Sequence, residues 1–130
     1  MTELCRELEM PFVFKSSYRK ANRSSATSFV GVGDVDALEL LDDIKMSYNC
    51  PVLTDIHEAH EAALAAKYVD VLQIPAFLFR QTELLLAAGK TECSINIKKG
   101  QFAAPDDMKK AVAKIQSTGN HNIWVCERGS

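Results

Sequence analysis

The sequence lacks the features that identify several common classes of protein. Its four cysteines lie far apart and form no Cys-x-x-Cys pair, so their spacing fits neither a disulfide framework nor a zinc ribbon. The first ten residues carry acidic charge without an apolar centre, which is not typical of a signal peptide, and the longest apolar runs are too short to span a membrane. The formal net charge of −2 argues against a general nucleic-acid-binding protein. We therefore expect a cytoplasmic protein with reduced thiols and with no membrane or nucleic-acid partner.

What the sequence does contain is five strand-like segments that alternate with helix-like segments. The predicted strands are short apolar runs, and the predicted helices carry apolar residues three or four positions apart. The predicted strands cover residues 12–15, 51–55, 69–74, 94–98 and 123–126. The predicted helices cover residues 2–9, 35–48, 58–68, 79–88 and 105–118, with Asp34 as an N-cap and Gly89 as a C-cap. This alternation is typical of βα units in a parallel sheet.

Two folds fit such a sheet, a doubly wound sheet and a (β/α) barrel. No glycine-rich nucleotide fingerprint follows the first strand, which favours the barrel. A complete barrel has roughly 250 residues, whereas this chain has 130. We therefore predict an α/β fold and one domain, residues 1–130, that forms a partial (β/α)8 TIM barrel. It would contain strands 2 to 6 with their helices, and the N-terminal and C-terminal strands would be absent. A helix that runs directly into the first strand also predicts that the domain begins upstream.

Polar and charged groups follow every predicted strand. Barrel strands place these groups at one mouth, where ligands bind. Six of them are cations, namely Lys15, Lys20, Arg23, Arg80, Lys98 and Arg128. Only Asp55 and Glu127 oppose them. This balance favours a ligand set with two anionic groups, such as two phosphorylated metabolites.

Simpler interpretations of individual residues stay open at this point. Asp55 as a helix cap, His57 as a structural histidine, and Arg80 and Lys99 as ordinary surface charges are the main ones. A different chemistry is a Schiff-base aldolase that uses Lys98 or Lys15 as the nucleophile. A third alternative is a non-catalytic binding or assembly module, because a partial barrel exposes two sheet edges.

Five motifs together resemble the family of 3-deoxy-D-manno-octulosonate 8-phosphate synthases, also called 2-dehydro-3-deoxyphosphooctonate aldolases. The motifs are FKSSYRKANRSS (14–25), LTDIHE (53–58), DVLQIPAFLFRQT (70–82), NIKKGQF (96–102) and CERG (126–129). They occur in the family order and with the family spacing over nearly the whole chain. The resemblance implies a cytoplasmic transferase of lipopolysaccharide (Kdo) biosynthesis. Such an enzyme condenses phosphoenolpyruvate with D-arabinose 5-phosphate and releases phosphate.

The same resemblance implies roles for individual residues. The implied catalytic residues are Lys20, Asp55, His57 and Lys98. Asn22, Arg23 and Ser24 would hold the sugar phosphate, and Lys20, Lys98 and Arg128 would anchor phosphoenolpyruvate. The remaining implied substrate-binding residues are Lys15, Ser17, Gln73, Pro75, Ala76, Arg80 and Gln101.

The resemblance further implies a homotetramer in which Arg80 reaches the site of a neighbouring subunit. One class of the family uses a divalent metal. Its ligand positions correspond to sequence upstream of Met1 and downstream of Ser130, so no metal ligand is predicted here and metal dependence stays open. The chain departs from the family pattern with Gly-Val-Gly at 31–33 in place of Gly-Pro-Gly, and with Gly89 and Glu92 near the fourth strand.

Overall fold

The computed structural model describes residues 1–19 and 33–129, and it confirms the alternation of strands and helices. Within these ranges the α-helices are Thr2–Glu7 (α1), Asp34–Tyr48 (α2), Glu61–Ala65 (α3), Thr82–Gly89 (α4) and Met108–Gln116 (α5). The strands are Phe14–Lys15 (β1), Val52–Asp55 (β2), Val71–Ile74 (β3), Ser94–Lys98 (β4) and Ile123–Cys126 (β5). Short 3₁₀ helices at Ala76–Leu78 and Pro105–Asp107 precede α4 and α5. None of the described helices is both long enough and apolar enough to cross a membrane.

The strands form one sheet whose spatial order follows the chain, β1-β2-β3-β4-β5, and every neighbouring pair is parallel. Because parallel crossovers are right-handed, a sheet that never reverses its strand order has its crossovers on one face. A doubly wound sheet reverses its order and carries helices on both faces. The observed order is therefore consistent with a partial (β/α)8 barrel, as the sequence predicts, and differs from that of a doubly wound sheet.

In β4, alternate residues separate an apolar face from a polar face. In β4, Ile95 and Ile97 are fully buried, whereas Ser94, Asn96 and Lys98 are half-buried. The two isoleucines belong to the apolar cluster that the sheet forms with helices α2 to α5. Since successive side chains of a strand point to opposite faces, the polar residues lie on the side away from this core. That second face is where a binding surface can form.

Several element boundaries differ from the prediction. The first strand is limited to two residues, and the helix predicted over residues 58–68 covers only Glu61–Ala65. The shorter helix has a clear cause, because the Glu61 carboxylate accepts the backbone N–H groups of His57 and Glu58 and holds that segment in a turn. The helices predicted to begin at residues 79 and 105 begin at Thr82 and Met108, since a 3₁₀ turn precedes each of them.

Both predicted helix caps are also wrong. Asp34 is the first residue of α2, and Gly33 is its N-cap with φ of 128°, a value that favours glycine. Gly89 is the last residue of α4 rather than its cap. A Cβ atom on Gly89 would lie 2.6 Å from Thr118 Oγ1, so the glycine permits a close approach between the ends of α4 and α5. The first helix, predicted to be amphipathic, buries none of its residues.

Candidate active site at the carboxyl ends of the strands

The carboxyl ends of the five strands open into one cleft of about 290 Å³. The ends of β1 and β2 contribute Lys15, Ser17, Arg19, Asp55 and His57 to its wall. The ends of β3, β4 and β5 contribute Gln73, Pro75, Ala76, Phe77, Lys98 and Arg128. Nine residues of the predicted site therefore share this cleft.

Asp55 is the centre of the polar contacts between β1 and β2. The Ser17 hydroxyl donates a hydrogen bond of 2.5 Å to Asp55 Oδ1, and Lys15 Nζ lies 3.1 Å from the same oxygen. Lys15 Nζ also donates to the Ser17 hydroxyl, at 2.8 Å. Burial by itself raises the pKa of the Asp55 carboxyl. The hydrogen bonds from His57 and Ser17 and the charge of Lys15 outweigh burial and lower that pKa below its ordinary value of 3.8. Asp55 is thus an ionised acceptor in the cleft, and its interpretation as a helix cap is wrong because α3 has no side-chain cap.

His57 lies between Asp55 and Phe77. Its Nε2 is 3.2 Å from Asp55 Oδ2, and its ring stacks on Phe77 with centroids 6.5 Å apart. Its Nδ1 is buried, and no group of the described residues forms a hydrogen bond with it. The carboxylate oxygen Glu61 Oε2 is 3.9 Å away from that nitrogen. Asp55 and Phe77 therefore flank the imidazole at the wall of the cleft.

A second buried carboxylate, that of Glu61, binds the backbone that carries His57. The side chain is only 5% exposed, and Oε2 accepts the backbone N–H groups of His57 at 2.6 Å and Glu58 at 3.1 Å. Oε1 is 3.3 Å from the guanidinium of Arg19, which lines the cleft. Burial by itself raises the pKa of Glu61, but the two backbone N–H groups and a hydrogen bond from Tyr18 lower it below 4.5. Burial and the charge of Glu61 raise the pKa of Tyr18, so the phenol stays a protonated donor. Glu61 thus fixes the loops that follow β1 and β2 in one arrangement.

The middle of the site is a row of amide and carboxylate side chains across the sheet. Asp55 is in register with Gln73, and Gln73 is in register with Asn96. Asn96 Nδ2 donates to Gln73 Oε1 at 3.2 Å, which orients both amides on the polar face. Neutral amides at this position can bind ligand oxygens without adding charge.

The ends of β4 and β5 carry cations of two different kinds. Lys98 and Arg128 line the cleft, and neither forms an ion pair with a carboxylate of residues 1–19 or 33–129. Lys99 is buried, at 4% exposure, so its interpretation as a surface charge is wrong. Glu127 pairs with Lys99 at 3.5 Å and is not part of the cleft wall. Glu127 therefore does not oppose the cations of the cleft.

Some predicted site residues are not brought to the cleft. Gln101 is exposed in the turn after β4 and does not line it. Arg80 lies in a separate surface depression beside Glu58 and Thr82. Four further predicted site residues, Lys20, Asn22, Arg23 and Ser24, lie outside the described residues.

The prediction also missed three residues of the site. Arg19 stands in the cationic segment after the first strand, so that segment was the signal for it. Phe77 follows the strand-end residues Pro75 and Ala76 and gives the cleft its aromatic wall. Glu61 reads as one of several charges on a helix, and no sequence signal separates it from Glu58.

The residues of the cleft define its chemistry. Its walls carry four cationic side chains and one carboxylate, although the whole chain has a net charge of −2. No group of three or more His, Cys, Asp or Glu side chains in the described part of the chain could hold a metal ion. Cations and amides at the carboxyl ends of parallel strands form a site for an anionic small molecule. The fold and the site thus define a (β/α)-barrel-like protein with a cationic cleft at the carboxyl ends of its strands.

Comparison with known proteins identifies the family within this class. The sequence model of the DAHP synthetase I family matches residues 1–130, and the chain belongs to that family. It is 55% identical to the 2-dehydro-3-deoxyphosphooctonate aldolase of Granulibacter bethesdensis over 127 residues, which cover 98% of this chain and 45% of that protein.

Two further relatives carry the same name. The proteins of Rhizobium meliloti and Fusobacterium nucleatum are each 52% identical to this chain. The matches cover 100% and 98% of this chain, and 46% of each relative. The resemblance drawn from the five motifs is therefore confirmed, and the chain spans about half the length of the curated relatives it matches.

Proposed function

We propose that this chain supplies the phosphoenolpyruvate-binding part of an enzyme that condenses phosphoenolpyruvate with D-arabinose 5-phosphate. The products would be 3-deoxy-D-manno-octulosonate 8-phosphate and inorganic phosphate, as in lipopolysaccharide biosynthesis. The single observation that carries the proposal is the convergence of Lys15, Arg19, Lys98 and Arg128 on one cleft of an acidic chain. The names of the relatives give the reaction, and the cleft gives the chemistry that suits it.

In this proposal Lys98 and Arg128 anchor the phosphoenolpyruvate anion. Both line the cleft without an ion pair to a described carboxylate, so their charge is available to a ligand. Cations in this position would stabilise the charge that develops on the departing phosphate. Lys20 would complete this anchor, and Ser17, Gln73 and the backbone at Ala76 would surround the ligand.

The second substrate would lie toward Asp55 and His57. The ionised Asp55 holds the imidazole at the cleft wall, where both groups can orient a sugar hydroxyl or the reacting carbonyl. Asn22, Arg23 and Ser24 would bind its phosphate. Substitution of Arg23 by alanine should then raise KM for arabinose 5-phosphate far more than KM for phosphoenolpyruvate. Equal effects on both would contradict this assignment.

A coupled assay for inorganic phosphate tests the reaction. Phosphate release should require both phosphoenolpyruvate and arabinose 5-phosphate, and Lys98→Met should reduce it strongly. The exposed Lys109, which pairs with Asp106, offers a matched control, since Lys109→Met removes a charge far from the cleft. Phosphate release that stays at the background rate when both substrates are present would refute the proposed activity.

A Schiff-base aldolase is the competing chemistry on the same cleft. Lys15 Nζ is already engaged by Asp55 Oδ1 and by the Ser17 hydroxyl, whereas Lys98 lines the cleft without such an ion pair, so Lys98 is the candidate nucleophile. Borohydride reduction in the presence of substrate should trap no covalent adduct if our proposal holds. An adduct on Lys98 would replace the proposal with the aldolase chemistry.

We also propose that the protein is cytoplasmic and forms a homotetramer in which Arg80 reaches the cleft of a neighbouring subunit. Two observations support this. Free thiols at all four cysteines, Cys5, Cys50, Cys93 and Cys126, support the cytoplasmic location. The exposure of Arg80 outside its own cleft supports the contact with a neighbouring subunit. Sedimentation velocity should give a tetramer. A compact monomer would contradict the shared site and would make this chain an independent domain.

A further inference from the structure

The buried residue Lys99 forms an unusual set of contacts next to the cleft. It directly follows Lys98 at the end of β4, but it is only 4% exposed, whereas Lys98 faces the cleft. A buried ammonium group is strongly unfavourable unless its N–H groups are bound. Its partners therefore reveal what the residue does.

Lys99 Nζ joins two loops. It donates to the carbonyl oxygens of Gly100, Ala103 and Gly129, each at 3.2 Å. A lysine has three N–H donors, so these carbonyl oxygens satisfy all of them. Gly100 and Ala103 belong to the turn after β4, and Gly129 belongs to the segment after β5. The ammonium thus fastens the segment after β5 to the turn after β4.

A second charged group, the Glu127 carboxylate, binds the backbone of the segment after β5. Glu127 Oε1 accepts the backbone N–H groups of Arg128 at 2.9 Å and Gly129 at 2.7 Å. The same oxygen is 3.5 Å from Lys99 Nζ. The backbone N–H of Lys99 also donates to Cys126 O, at 2.9 Å. The backbone of Arg128 is therefore held on both sides, by its own N–H to Glu127 and by the Gly129 carbonyl to Lys99.

We propose that Lys99 is a positioning residue that holds Arg128 beside Lys98, so that both cations bind the same anionic group of the substrate. The inference rests on the proposed role of Lys98 and Arg128 as the phosphoenolpyruvate anchor. Lys99 itself does not touch the ligand. It fixes the backbone that carries Arg128, and a long flexible side chain on a fixed backbone loses less freedom when it binds.

The test compares Lys99→Met with Lys110→Met. Methionine has a similar length to lysine but no ammonium group, and Lys110 is an exposed lysine paired with Asp107. Backbone ¹⁵N relaxation should show that Arg128 and Gly129 become mobile in Lys99→Met and stay ordered in Lys110→Met. This measurement needs no ligand, so it stands even if phosphoenolpyruvate is not the substrate.

The second measurement is the affinity for phosphoenolpyruvate, with urea unfolding of each variant as a control for folding. Lys99→Met should weaken binding by up to about tenfold under conditions where it is fully folded, because Arg128 must then be ordered when the anion binds. A merely structural lysine would lower stability but leave the affinity and the mobility of Arg128 unchanged, and that result would overturn the proposal. If the wild-type chain does not bind phosphoenolpyruvate at all, the proposed function fails, and the relaxation data alone decide whether Lys99 orders Arg128.

A substitution of the exposed Glu127 tests the same contact without changing the buried Lys99. Glu127 is largely exposed, with 62% of its side chain accessible, so Glu127→Ala leaves the buried lysine in place. It removes the acceptor of the Arg128 and Gly129 N–H groups. We expect the same loss of order at Arg128 and a smaller loss of affinity. Unchanged relaxation in both Lys99→Met and Glu127→Ala would refute the positioning role.

Discussion

The cations that line the cleft are paired with carboxylates at one end of the sheet and unpaired among the described residues at the other. At the β1–β2 end, Lys15 pairs with Asp55 and Arg19 pairs with Glu61, so each cation that lines the cleft has a carboxylate beside it. At the β4–β5 end, Lys98 and Arg128 line the cleft with no such partner among the described residues. The carboxylate that is available there, Glu127, is used by the buried Lys99 instead.

This difference indicates where an anion would bind. A cation that is already paired gains little from a second anion, whereas an unpaired cation in a partly enclosed cleft can bind one strongly. We therefore expect an anion to bind at the β4–β5 end. At the β1–β2 end, with an ionised Asp55 beside His57, we expect proton transfer or the binding of hydroxyl groups. The following predictions test this division.

The largest effect is expected from Arg128→Ala. Loss of a charge-assisted contact typically costs about 1.5–3 kcal/mol, which corresponds to roughly a 10- to 100-fold weaker affinity. Isothermal titration with phosphoenolpyruvate measures it, and Arg6→Ala on the exposed helix α1 is the matched control. If Arg19→Ala weakened binding more than Arg128→Ala, the paired end would be the anion-binding side and the division would be wrong.

A smaller effect, on stability, is expected from Glu61→Gln. A neutral amide oxygen can take the place of Oε2, which accepts both backbone N–H groups, but the ion pair between Oε1 and Arg19 is lost. We expect unfolding free energy to fall by about 1–2 kcal/mol, because buried donors are left with weaker partners. Urea unfolding measures this loss. The neighbouring Glu58 is exposed, so Glu58→Gln should be close to neutral. Equal losses of unfolding free energy in the two variants would show that Glu61 does not stabilise the loops that follow β1 and β2.

The smallest effect is a pH dependence of stability at the β1–β2 end. The pKa values of Asp55 and Glu61 are below their ordinary values of 3.8 and 4.5. Their stabilising contribution is therefore complete above those ordinary values. It is lost as the pH falls further, because the unfolded chain takes up protons before the folded chain does. The difference in unfolding free energy between the chain and Asp55→Asn should be constant near neutral pH and should shrink below about pH 4. A difference that grew in acid would contradict the assigned direction of the pKa shift.

Local pattern was enough to predict the order of elements and much of the site. The strands could be found from short apolar runs, and the parallel sheet from their alternation with helices. Asp55, Gln73 and Lys98 could be placed at strand ends for the same reason, since each one follows or closes an apolar run. The ends of the helices could be predicted less well from the sequence. The turn before α3 depends on the Glu61 carboxylate, which contacts backbone groups three and four residues away.

Residue type and position along the chain determined that the protein is a parallel α/β chain with cations after its strands. Only the tertiary structure decided what each charge does. Lys98 and Lys99 are identical neighbours in sequence, but the first faces the cleft and the second is buried, because consecutive residues at a strand end point in opposite directions. Likewise, Arg19 meets Glu61 across 42 residues of sequence, and Lys99 meets Gly129 across 30. Such partners are set by the packing of loops from different strands, and that packing has no local signature in the chain.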